Sequence, residues 1–124
     1  MHDIEILYWV QYNIIMFEYE IKYLVLQNNK SPIIDWLNSL DNSIRKRILN
    51  RIVRLQNGNF GDCKILTSEI NELRCKFGAG YRIYYAKQDN FIILLINGGD
   101  KSTQQSDIQK AIEYLNEWRN ANGI

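Results

Sequence analysis

Histidine, proline and cysteine are all scarce in this chain of 124 residues, which has one histidine, one proline and two cysteines. With His2 alone, neither a histidine acid–base pair nor a histidine metal site can be assembled. A nucleophilic serine or cysteine likewise lacks its usual base. Cys63 and Cys75 have no second pair and no neighbouring histidine, so zinc-ligand spacing and a disulfide framework are both missing. They read as buried thiols of a reducing cytoplasm. No apolar run reaches the ~20 residues a spanning helix needs, and no early Lys or Arg precedes an apolar block at the amino end. The expectation is a cytoplasmic protein without a membrane segment, a metal or a cofactor.

What is present is a hydrophobic content of 46%, enough at this length for one core and one domain. The formal net charge of +1 conceals an uneven distribution. Between Asp41 and Lys87 ten Lys and Arg residues stand against four acids, and the flanks compensate. An electropositive middle third favours a polyanionic partner.

Residues 1–15 are apolar and aromatic with no base, and Met16 directly precedes an alternating strand pattern at Phe17–Tyr23. We therefore set 1–15 apart as an extension, or a start codon placed too early, with an extra edge strand as the alternative. The domain proper is 16–124. Ser31-Pro32 caps a helix to about Leu40, with Ile33, Trp36, Leu37 and Leu40 inward. Asp41–Ser43 opens a second helix with Ile44, Ile48, Ile52 and Leu55 on one side. Its other sides hold Arg45, Lys46, Arg47, Arg51 and Arg54: a solvated face, a track for phosphates, or a dock for an acidic partner.

The period turns twofold after Gly58–Asp62. In Asn71–Phe77, Leu73, Cys75 and Phe77 face the core while Glu72, Arg74 and Lys76 face away. Gly78–Gly80 connects to a strand at Tyr81–Ala86, and a three-residue loop would set Arg82 opposite Lys76 and Tyr84 opposite Arg74. Phe91–Ile96, apolar on both faces, is the central strand. Gly98-Gly99 reads as a turn, and Ser102 with Gln105 as a capping box opening the last helix. The fold class is α+β: a small, mostly antiparallel four-stranded sheet, an N-terminal helical hairpin and a C-terminal helix.

The side chains able to carry chemistry are the cations Arg74, Arg82 and Lys101, the carboxylates Glu72 and Asp100, and the tyrosines Tyr81, Tyr84 and Tyr85. RNA supplies its own nucleophile, the 2′-hydroxyl, and cations then matter most. Arg74 and Arg82 suit the phosphoryl oxygens. Lys101 adds charge at a helix start, and Tyr84 or Asp100 is a candidate for moving protons. Lys76, Arg51 and Arg54 are candidate RNA contacts. Each residue taken singly also fits an ordinary ion-paired or core position.

The ordered runs Asn57–Lys64, Glu72-Leu73-Arg74, Gly78–Tyr85 and Leu94–Gln104 closely resemble the addiction-module killer proteins of the RelE/ParE toxin superfamily, in their HigB-like branch. The resemblance covers Met16 to about Trp118. It implies a RelE-like fold and the toxin of a bacterial type II toxin–antitoxin pair, inhibited by a small antitoxin encoded nearby, expected to carry a helix-turn-helix. It also implies metal-independent, ribosome-dependent mRNA cleavage with a cyclic phosphate and a 5′-hydroxyl as products, and so inhibition of translation. ParE-like members instead poison DNA gyrase, and an inactive antitoxin-binding relative is the third reading. By motif, Arg82 matches the arginine that contacts the scissile phosphate, and Lys101 stands where these enzymes have a basic residue. Glu72 departs from the pattern where several members have lysine, and Asp107 falls near a functional tyrosine.

Overall fold

A computed structural model describes residues 18–124, so the proposed boundary at Met16 lies outside the described residues. Among the described residues nine elements follow one another: β1 (Glu20–Tyr23), α1 (Pro32–Ser39), α2 (Asn42–Gln56), β2 (Cys63–Ile65), β3 (Asn71–Cys75), β4 (Tyr81–Lys87), β5 (Ile92–Gly99), a 3₁₀ turn (Lys101–Thr103) and α3 (Gln104–Ala121). The strands form one sheet in the order β1-β5-β4-β3-β2, with β1 parallel to β5 and every other pair antiparallel.

The α+β class holds, but the expected four strands are five. The extra one, β2, is a three-residue edge too short to show a period, and its Ile65 points to solvent. The helical pair is not N-terminal either, since β1 precedes it.

Both faces of the sheet are covered. Ile33 and Leu37 of α1 and Ile48, Ile52 and Leu55 of α2 pack on Leu73, Cys75, Ile83, Tyr85, Ile93 and Leu95. On the other face, Ala111 and Leu115 of α3 pack on Tyr84, Ala86, Leu94 and Ile96. The alternation of β4 and β5 therefore sorts side chains between two apolar layers, and burial of both is the main force holding the sheet between its helices. Among the described residues no helix is long and apolar enough to cross a membrane.

Three local expectations are corrected. The β3–β4 connection is longer than three residues: Cys75 pairs with Tyr81, Arg74 with Arg82 and Glu72 with Tyr84. The chain leaves the sheet at Lys76, and a turn closed by the Gly80 amide donating to the Phe77 carbonyl (3.0 Å) uses positive φ at Gly78 and Gly80. Because the slip is two residues, the side chains that remain paired, Glu72 to Cys75 and Tyr81 to Tyr84, keep their predicted faces, whereas Lys76 and Phe77 leave the sheet.

Gly98-Gly99 is not a turn but the end of β5, paired with Ile83 and Arg82. A methyl group on Gly98 would overlap the Trp36 ring, and one on Gly99 would overlap the Asp107 carboxylate. These glycines are spaces for their neighbours.

The capping box also sits two residues earlier than read. Asp100 accepts from the Ser102 amide (2.8 Å), and Thr103 Oγ1 accepts from the Asp100 amide (3.3 Å). A 3₁₀ turn thus intervenes before α3 begins at Gln104.

Candidate functional site

Strand alternation places Glu72 and Arg74 of β3 and Arg82 and Tyr84 of β4 on the α3 face of the sheet. The register sets Arg74 directly opposite Arg82. Two like charges so placed repel, and Glu72 resolves the conflict. Its Oε1 accepts from Arg74 Nε at 2.9 Å, its Oε2 lies 3.5 Å from Arg82 Nε, and Gln104 Nε2 donates to Oε2 at 2.9 Å. The carboxylate has 0% exposure. Burial pushes its pKa up, but the hydrogen bonds from Arg74 and Gln104 and the charges of Arg82 and Arg74 outweigh burial and hold it below the ordinary glutamate value.

This anchoring uses only part of each guanidinium. Arg82 Nη1 donates to the Gly80 carbonyl at 2.9 Å, while its Nη2 and both Nη atoms of Arg74 have no protein partner among the described residues. The Arg74 side chain is 36% exposed and that of Arg82 13%. Glu72 therefore orients two arginines from behind and leaves N–H groups free for an external anion.

The Gly80 turn brings Lys101 to the same place. The Lys101 amide donates to the Ala79 carbonyl at 3.3 Å, and a Cβ added to Gly80 would lie 3.4 Å from Lys101 Cβ and 3.6 Å from Arg82 Nη1. Lys101 itself is exposed. Asp100, half-buried, is engaged in the cap: hydrogen bonds from the Ser102 hydroxyl and amide and from the Thr103 amide, with the charge of Arg82, hold its pKa down. Arg74, Arg82, Lys101 and Asp100 thus gather at one end of the sheet, around a buried acid.

Tyr84 lies beneath this cluster rather than at its mouth. It has 0% exposure, and its buried hydroxyl has no well-formed hydrogen bond among the described residues. Burial, then the charge of Glu72, pushes its pKa above the ordinary tyrosine value.

The chain matches the model of the phage-derived Gp49-like family (DUF891) over residues 35–116, well over half its length and inclusive of every residue of the cluster. It belongs to the Gp49-like family. This is a RelE-like toxin family of toxin–antitoxin systems, in agreement with the resemblance at the level of the superfamily. An uncharacterised protein of Haemophilus influenzae is 49% identical over 77 residues, which cover 61% of this chain and 78% of that protein.

The remaining predicted residues of this Gp49-like chain lie elsewhere. Arg51, Arg54 and Lys76 line a groove of about 510 Å³ between α2 and the open end of β3, together with Arg47, Asp62 and Phe77. Arg74 lines it too, so one arginine borders both the cluster and the groove. Two participants escaped the sequence reading. Gln104 is the second hydrogen-bond donor to Glu72 beside Arg74, hidden because the cap was read too late in the chain. Arg47, whose guanidinium stacks 3.8 Å from the centre of the Phe77 ring, was legible only as one of several helix-face bases.

Proposed function

We propose that this Gp49-like protein is the toxin of a type II toxin–antitoxin module, held inactive by an antitoxin encoded nearby, and that it cuts mRNA on the ribosome without a metal. The observation that carries the reading is the Glu72-bridged pair of Arg74 and Arg82, with unused guanidinium N–H groups beside Lys101.

In the proposed reaction the substrate's 2′-oxygen attacks the adjacent phosphorus, the bond to the 5′-oxygen breaks, and a 2′,3′-cyclic phosphate and a 5′-hydroxyl remain. The 2′-hydroxyl loses its proton and the departing 5′-oxygen gains one. Arg74, Arg82 and Lys101 neutralise the charge that builds on the phosphoryl oxygens. Donors fixed in advance suit this task because they need no reorganisation as the charge develops, and one such donor is typically worth ~10²–10³ in rate. Glu72 and Gln104 act as positioning residues. We assign the proton transfers to Asp100 or Tyr84, of which Asp100 is the less buried.

Purified protein added to translating ribosomes in the presence of EDTA is expected to truncate the message, and the Arg82→Ala variant to lose most of that activity. Intact message would contradict the nuclease reading. Inhibition of DNA supercoiling with the message intact would select the gyrase alternative.

A further inference from the structure

The groove between α2 and β3 carries cations that, Arg74 apart, the proposed cleavage step does not use. Five cations line it, Arg47, Arg51, Arg54, Arg74 and Lys76, against the single carboxylate of Asp62. Asp62 is taken by Lys76 at 3.2 Å. Arg51 is only 6% exposed, and among the described residues its one side-chain hydrogen bond sends Nη1 to the Asn59 carbonyl at 3.1 Å. Among the described residues no carboxylate lies within ion-pair distance of Arg47, Arg51 or Arg54. A cation so deeply withdrawn from water, with no counter-charge, favours an anion from outside.

The three arginines repeat along one side of α2 with rises of about 6 Å and 4.5 Å. They can therefore meet successive charges of an extended polymer. The Arg47 guanidinium carbon sits 3.8 Å over the centre of the Phe77 ring, which gives the groove mouth a cationic and aromatic surface of the kind on which bases stack. Stacking favours a nucleic acid over an acidic peptide. Arg74 connects the groove to the cluster.

We propose that the groove is a second nucleic-acid site, which holds the phosphate backbone of single-stranded RNA to one side of the linkage lodged at Arg82, the strand passing around the free end of β3 by way of Arg74. The inference rests on the RNA reading above and adds a binding site to it.

The test uses the full chain and a fluorescent 2′-O-methyl RNA oligonucleotide, which lacks the attacking hydroxyl, with binding measured across a salt series. Arg47 and Arg54 are exposed, so the double variant Arg47→Gln/Arg54→Gln spares the core. Losing two phosphate contacts makes the salt slope shallower by about 1.4, so that between about 50 and 200 mM salt the variant loses roughly sevenfold less affinity than the parent. Arg47→Lys/Arg54→Lys should recover most of the slope. An unchanged slope in the Gln variant overturns the inference, and message cleavage that still depends on Arg82 would then leave the nuclease reading standing. A shallower slope without any cleavage supports the groove and removes the nuclease. Loss of binding to a poly-glutamate peptide, with RNA binding unaltered, makes the groove a protein dock and also overturns the inference.

Discussion

Arg74 and Arg82 face each other directly across β3 and β4, and the buried carboxylate of Glu72 touches the Nε side of both. The pair is a held cationic fork rather than a solvated surface decoration. Its stability and its chemistry are both open to measurement.

Replacing Glu72 by Ala leaves the largely buried Arg82 and the partly exposed Arg74 without the buried acid they share. Breaking a buried pair in this way costs ~3–5 kcal/mol. Chemical denaturation of Glu72→Ala should show a loss of that order, and a change below about 1 kcal/mol, the worth of an exposed pair, would mean that Glu72 is not the hub.

The same acid predicts a pH dependence. Its folded pKa is lowered from 4.5, so its contribution is complete above that value and is lost as pH falls through the lower folded pKa. The denaturation midpoints of the parent and of Glu72→Gln should therefore converge as acid is added, from a gap that is constant towards neutrality. A gap that widens in acid has the wrong sign.

Gly98 lies under the Trp36 ring with no room for a methyl group. Gly98→Ala should cost ~1–3 kcal/mol, as overpacked sites do, and should shift the Trp36 emission. An unchanged melting temperature would show that α1 rests more loosely on β5.

Removing the Tyr84 hydroxyl deletes a buried polar atom without a well-formed partner. Tyr84→Phe should hold or gain stability, because burying such a group unpaired is unfavourable. A loss of more than about 1.5 kcal/mol, the worth of an ordinary hydrogen bond, would reveal a bond from that hydroxyl. If Tyr84 rather than Asp100 moves the proton, the same variant loses ~10²–10⁴ in cleavage rate.

The faces of β3 and β4 were legible because Glu72, Arg74, Arg82 and Tyr84 obey strand alternation against Leu73, Cys75, Ile83 and Tyr85. The register was not, since a two-residue slip leaves the alternation intact and only the turn at Gly78–Gly80 fixes it. The apolar run Phe91–Ile96 announced a strand, but its continuation through Asn97–Gly99 rests on pairing with Tyr84, Ile83 and Arg82 and on glycines that leave room for Trp36 and Asp107. The Asp62–Lys76 pair and the groove around Arg51 likewise arise from tertiary approach, and α2 alone offers only a charged helix. Of the candidate site, the cations were readable and the acid's role was not.

Single-turnover message cleavage on translating ribosomes, with the parent chain and Arg82→Ala compared in the presence of EDTA, decides whether the arginine fork breaks RNA. The parent chain should truncate the message, and the variant should do so at a rate lower by ~10²–10³. Equal rates, or uncut message from the parent chain, would contradict that role of the fork.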